Sequence, residues 1–305
     1  MGSLQGKVAL ITGGARGQGR AIAARLARDG ADIVIADISR DIPDLEYSLA
    51  SDADALETTR LVESAGQRCL SVRTDVRDQA ALDRAVAEGI EAFGSIDVLV
   101  SNAGIVDYKP LWEITEEDWS TMLDVNLTGG WRALKAVAGN FRERLSGAIV
   151  FNSSINGVEA GWNYAHYVSA KHGLLGLMKA AALELAPYGV RSNAVLPTVM
   201  DAPNNLHAAS FDRVAGKRGA TREEWFEATR SWHALRGRGA LPTTAVADAV
   251  AWLASDNAHH ITGVAIPVDA GHTILPGVNP VPIGGEGPEH ETLDPWPACL
   301  PGEIA

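Results

Sequence analysis

Short apolar runs alternate with longer segments of helical spacing along most of this chain. "KVALIT" (7–12), "ADIVIAD" (31–37), "CLSVRTDV" (69–76), "SIDVLVSNAG" (95–104), "GAIVFNSS" (147–154), "VRSNAVLP" (190–197) and "GVAIPVDAG" (263–271) read as strands. Their near-continuous Val, Ile and Leu predict strands covered on both faces rather than one. Between the first of them, "AIAARLARDG" and "DADALETTRLVESAG" carry helical periodicity, with glycine at or near the stop. Alternating strands and helices predict an α/β fold, a doubly wound parallel sheet of Rossmann-like form, as one domain over residues 1–275.

Three segments depart from that rhythm. Residues 38–51, "ISRDIPDLEYSLAS", form an irregular insertion before the next helix. Residues 198–241 lie between two strands and hold Phe211, Trp225, Phe226 and Trp232, a composition suited to a lid over an apolar substrate. Trp162 is a further candidate for the pocket wall, although any one of these aromatics serves equally well as core. Residues 276–305 contain seven of the chain's 14 prolines and predict an irregular C-terminal extension. Trp296, Leu293, Leu300 and Ile304 give that extension something to dock with.

Composition narrows the function. The 305 residues are 46% hydrophobic and 21% charged, an ordinary globular balance. A net charge of −12 argues against nucleic acid or an anionic membrane as partner. No run is apolar enough to span a membrane and the start lacks a secretion signal, so a cytoplasmic protein is expected. Cys69 and Cys299 are the only cysteines and nothing requires them to pair. No metal site is expected.

"TGGARGQGR" (12–20) follows the first strand and opens a helix. Gly13, Gly17 and Gly19 allow a tight turn and close approach of a diphosphate to the helix N-terminus. Asp37 ends the second strand, where a carboxylate accepts hydrogen bonds from ribose hydroxyls and repels a 2′-phosphate. That favours NAD over NADP. Arg16 points the other way, because a basic loop residue pairs well with such a phosphate.

With "NAG" at 102–104, Asn126 in "DVNLTG", Ser154, "YVSAK" at 167–171 and "PVDAG" at 267–271, the chain resembles the short-chain dehydrogenase/reductase family from residue 5 to about 275. The resemblance implies a homotetrameric oxidoreductase. Tyr167 would be the general acid/base, and Lys171, one helical turn on, would lower its pKa and bind the nicotinamide ribose. Ser154 would hydrogen-bond the substrate oxygen, and Asn126 would hold a water linking Lys171 to solvent. Gln18 belongs to the glycine loop, and Asp75 and Val76 match the pair that contacts adenine. Asn102, Ala103 and Gly104 would lie against the cofactor. In "PTVMDAP" (197–203), Pro197, Thr198 and Met200 fall at cofactor-contact positions, but Thr198 and Ala202 depart from the family's usual glycine and threonine. Tyr164 has Val168, not lysine, one turn on, and reads as pocket wall or surface. His166 and His172 read as supporting or surface residues.

The insertion, the "GARGQGR" loop and Pro-Thr after the sixth strand narrow the resemblance to the carveol-dehydrogenase-like, mycofactocin-associated branch. That implies NAD held too tightly to exchange, an insertion covering the adenosine, and an external redox carrier. The expected substrate is a hydrophobic secondary alcohol or its ketone, cyclic terpenoids included. An NADPH-preferring carbonyl reductase and a catalytically retired dinucleotide-binding regulator are the alternatives.

Overall fold

A computed structural model describes residues 2–43 and 45–275; the proline-rich extension expected over 276–305 lies outside them. The elements run β1 (Val8–Thr12), α1 (Gly17–Arg28), β2 (Asp32–Asp37), α2 (Asp52–Ser64), β3 (Cys69–Arg73), α3 (Gln79–Phe93) and β4 (Val98–Ser101). Then come α4 (Glu116–Leu123), α5 (Gly129–Arg144), β5 (Gly147–Asn152), α6 (Ala165–Leu185), β6 (Val190–Pro197) and β7 (Met200–Asp201). The chain closes with α7 (Ala208–Ala215), α8 (Arg222–Thr229), β8 (Leu241–Pro242), α9 (Thr243–Ala254) and β9 (Ala265–Val268).

Seven strands form one parallel sheet in the order β3-β2-β1-β4-β5-β6-β9, each within a segment the apolar pattern predicts. Alternate residues of each strand feed two separate cores. Ala9, Ile11, Ile33 and Ile35 face α1, α2 and α9, whereas Val8, Leu10, Val34 and Ala36 face α3, α5 and α6. A strand with both faces buried shows no polar alternation, which is why these segments read as unbroken apolar runs.

Strand order reverses between β1 and β4, and the crevice beyond their carboxyl ends is where such a sheet binds ligands. Helix starts are locally encoded: Ser51 with Asp54 caps α2, and Thr115 with Asp118 caps α4, each as a reciprocal capping box. Between α4 and α5 the chain makes a π turn, Asp124–Thr128, which contains Asn126. Such turns widen a helix locally and recur at functional sites. No helix among the described residues is long and apolar enough to cross a membrane.

Candidate active site

An open cleft lies beyond the carboxyl ends of the central strands and encloses about 1040 Å³, solvent mouth included. Its floor is the glycine loop. Gly13 has φ +64°, and a methyl there would stand 2.8 Å from Ala103 Cα. A methyl on Gly19 would fall 2.0 Å from the Gly13 carbonyl oxygen, so the loop folds as tightly as it does only with glycine at both positions.

Asn102 braces this loop. Its side-chain amide donates to the Thr12 and Gly13 carbonyls, each at 3.0 Å, and its own oxygen accepts from Asn152 Nδ2 at 2.8 Å. The same Asn152 nitrogen reaches Gln18 Oε1 at 2.9 Å. Asp37 stands at the end of β2, nearly fully buried, and accepts from the Ala15 and Ser39 amides at 3.0 and 3.3 Å. Burial raises its pKa, and those amide bonds oppose the rise.

Tyr167 and Lys171 lie one turn apart on α6. The Lys171 ammonium sits 5.5 Å from the centre of the Tyr167 ring and donates to the Asn152 carbonyl at 3.0 Å. Burial pulls Lys171 down to about 8. Burial also pushes the Tyr167 phenol well above its ordinary value, and the Ser154 hydroxyl pulls the other way. In the protein alone, the activating charge that the sequence assigns to Lys171 is therefore opposed by burial of both groups. Ser154 begins a short 3₁₀ turn, its Oγ accepting from the Asn156 amide at 3.1 Å.

Asn126 is held by its side-chain amide, which donates to the Ile105 and Met122 carbonyls, each at 3.0 Å. A methyl on Gly104 would lie 2.8 Å from Asn126 Oδ1 and 3.5 Å from Lys171 Nζ. The two polar groups face each other across that bare glycine.

The family model described as enoyl-(acyl carrier protein) reductase matches residues 13–273. An uncharacterised NAD-dependent oxidoreductase of Mycobacterium tuberculosis is 40% identical over 277 residues, covering 88% of this chain and 97% of that protein. The chain belongs to the short-chain dehydrogenase/reductase family. This short-chain dehydrogenase/reductase, an oxidoreductase enzyme, is also 37% identical over 280 residues to (-)-trans-carveol dehydrogenase of Rhodococcus erythropolis, covering 90% of this chain and 100% of that one. The crystal structure of carveol dehydrogenase from Mycobacterium avium in complex with NAD matches with TM-score 0.87 at 38% identity, covering 90% of this chain and 100% of that chain.

Most residues singled out in the dehydrogenase sequence line the cleft together: Gly13, Arg16, Gly17, Gln18, Gly19, Asp37, Asp75, Val76, Asn102, Ala103, Gly104, Asn126, Tyr167 and Lys171. Ser154 is not among the lining side chains, although it acts on the Tyr167 phenol. Pro197, Thr198 and Met200 also lie outside the lining; Ala202, Pro203 and Asn204 take that wall instead. The reason is local pairing. β7 pairs with β8 and turns Met200 into the core, while Thr198 Oγ1 meets His233 Nε2 at 3.3 Å. Asp75 lines the cleft with its carboxylate held by Arg77 at 2.7 Å and Arg40 at 3.4 Å.

The insertion supplies lining residues that the sequence did not single out: Ile42, Tyr47, Leu49 and Ala50. Tyr47 is the insertion's one aromatic, a signal that was available. Its hydroxyl accepts from the Val106 amide at 3.0 Å, and its ring stacks on His207 with centres 5.5 Å apart. Arg16 donates to the Ser48 carbonyl and so anchors the insertion to the glycine loop. Of the aromatics in 198–241, Trp225 is fully buried against Phe211; Trp162, upstream of that segment, is 82% exposed. Tyr164 packs with its ring centre 5.0 Å from Tyr108 and 5.7 Å from Tyr167, and neither Tyr164 nor Tyr108 is among the cleft's lining residues. His166 is fully buried rather than on the surface.

Proposed function

We propose that this enzyme interconverts a hydrophobic secondary alcohol, cyclic terpenoid alcohols included, and its ketone, with NAD as cofactor. The observation that carries the reading is the burial of Lys171 beside Tyr167 in the cleft that also holds the glycine loop and Asp37. The fit to a dinucleotide rests on the tight loop, which closes only with glycine at 13 and 19 and so presents its backbone at the start of α1, and on the Asp37 carboxylate, where a ribose would bind. Gly17, Gln18, Asp75, Val76 and residues 102–104 complete the cradle. The oxidised nicotinamide would supply a hydride acceptor and a positive charge near Tyr167.

The chain's own residues manage the proton. Tyr167 takes it from the substrate hydroxyl during oxidation and returns it during reduction. Lys171 holds the phenolate and orients the ribose. Ser154 donates to the substrate oxygen as charge develops there. Tyr164 and Tyr108, packed beside Tyr167, would offer aromatic surface to a ring or hydrocarbon.

NAD is preferred to NADP because Asp37 repels a 2′-phosphate, and because Arg16 is committed to the Ser48 carbonyl. Tight retention of NAD, with an external carrier collecting the electrons, is supported by the insertion's ties to the glycine loop, to Val106 and to the segment before α7. The lid is assigned to residues 198–241. Exposed Trp119 and Trp131 on α4 and α5 support self-association, which the family resemblance extends to a tetramer.

The test is absorbance of reduced nicotinamide in wild-type protein with carveol and either NAD or NADP. Product limited to about one per subunit marks retained NAD; steady NAD-dependent growth marks a free-exchanging dehydrogenase. Turnover preferring NADP contradicts the cofactor assignment, and no turnover with any secondary alcohol or ketone contradicts the reaction.

A further inference from the structure

We propose that His166 and the cavity it faces form a proton exit, carrying the substrate's hydroxyl proton between the Asn126–Lys171 side of the site and solvent. This inference rests on the dehydrogenase reading above. In oxidation one hydroxyl proton enters the protein per alcohol, and the same number must leave before Tyr167 can act again.

His166 has no exposed surface, and neither ring nitrogen makes a hydrogen bond of ordinary geometry among the described residues, although the Tyr164 backbone exerts a polar pull on the ring. Two unmet polar atoms in one buried ring are costly, and a cavity beside them with polar groups in its wall is a place for water. The ring lines such a cavity, distinct from the main cleft and enclosing about 510 Å³ with its mouth. Asp107, Glu117, Asp118 and Thr121 share its wall, and exposed Glu117 marks the solvent end.

The inner end abuts the active site. Ile105 lines both the cleft and this cavity, and Met122 lines the cavity. Their two backbone carbonyls are those that accept from Asn126 Nδ2. Ile105 and Met122 thus join the cavity wall to Asn126, whose Oδ1 and the Lys171 ammonium both lie near Gly104.

The charges around the ring suit a relay. Asp107 and Lys109 face it from the loop after β4, and Asp118 faces it from α4. Lys109 lies 2.6 Å from Asp118 and 3.5 Å from Asp107, which limits how strongly either carboxylate holds a proton on the ring. Burial lowers the pKa of His166 and Asp107 raises it. A neutral imidazole accepts a proton on one nitrogen and releases another from the second. In oxidation a proton passes from Lys171 through water at Asn126 to His166, and one leaves the far nitrogen for cavity water. Reduction runs the same balance inward.

The test uses His166→Ala and His166→Gln in the full chain, with NAD and the cyclic alcohol turned over by wild type. Both variants should lose kcat by about tenfold with KM for the alcohol nearly unchanged. Added imidazole should restore the Ala variant by entering the vacated space. A high-resolution crystal structure of the wild type should show water on both ring nitrogens. Full turnover in either variant, or loss in Ala that imidazole does not restore, overturns the route. A dry cavity overturns it whatever the activity. Wild type without turnover on any secondary alcohol would instead sink the dehydrogenase reading, and the route with it.

Discussion

Arg213 on α7 reaches Glu46 of the insertion at 2.9 Å and places its guanidinium carbon 3.8 Å from the centre of the Tyr108 ring. One side chain thus joins the insertion, α7 and the aromatic pair Tyr108–Tyr164 beside Tyr167. An exposed ion pair contributes little alone, but the cation–π contact brings the total to about 1 kcal/mol. Arg213→Ala is therefore expected to speed NAD release by about five- to tenfold while changing the melting temperature little. Stopped-flow release of the cofactor, measured beside a thermal melt, checks this.

Gly104→Ala puts a methyl between Asn126 and Lys171 where both are fixed by other bonds. Overpacking of this kind costs about 1–3 kcal/mol. Activity should fall further than stability, because the methyl displaces the two polar groups to which the proposed mechanism gives the proton. Urea unfolding and turnover on one preparation give the two numbers.

Asp37→Asn retains an oxygen for the Ala15 amide and removes the charge. The preference for NAD over NADP should drop by about tenfold or more, with little loss of stability. The ratio of kcat/KM for the two cofactors is the readout. An unchanged ratio would place cofactor choice elsewhere.

Lys171 makes a signed pH prediction for the protein without cofactor. Its pKa is drawn down from 10.5 to about 8 by burial, so between those values the unfolded chain binds more protons than the folded one. Stability from this group therefore rises with pH through that window. Lys171→Met should lose about 1–2 kcal/mol of the gain between about pH 7 and about pH 9.5. Cys69, pushed up to about 11, gives the opposite slope in both proteins and cancels in the comparison. Urea unfolding at the two pH values measures the difference.

How much was legible in the sequence follows from how local each feature is. The sheet was readable because β1 and β2 send alternate residues into two cores, leaving runs with no polar position. Tyr167 and Lys171 were readable because one helical turn is a sequence spacing. Glu46 and Arg213 meet across 167 positions in segments without periodicity, and no pattern announces that contact. Whether His166 is buried or on the surface was not legible, because α6 is apolar on several sides and offers no clear polar face. Met200 matched a cofactor-contact position in the family pattern, yet pairing of β7 with β8 draws it into the core, a tertiary outcome.

The central claim is that Tyr167 moves the substrate's proton in an NAD-dependent alcohol dehydrogenase. The most direct measurement is reduced-nicotinamide formation by Tyr167→Phe with a cyclic secondary alcohol, beside NAD affinity from fluorescence titration. Removing one hydroxyl should cut turnover by about a thousandfold and leave NAD affinity within about twofold. Near wild-type turnover in the Phe variant would contradict the account.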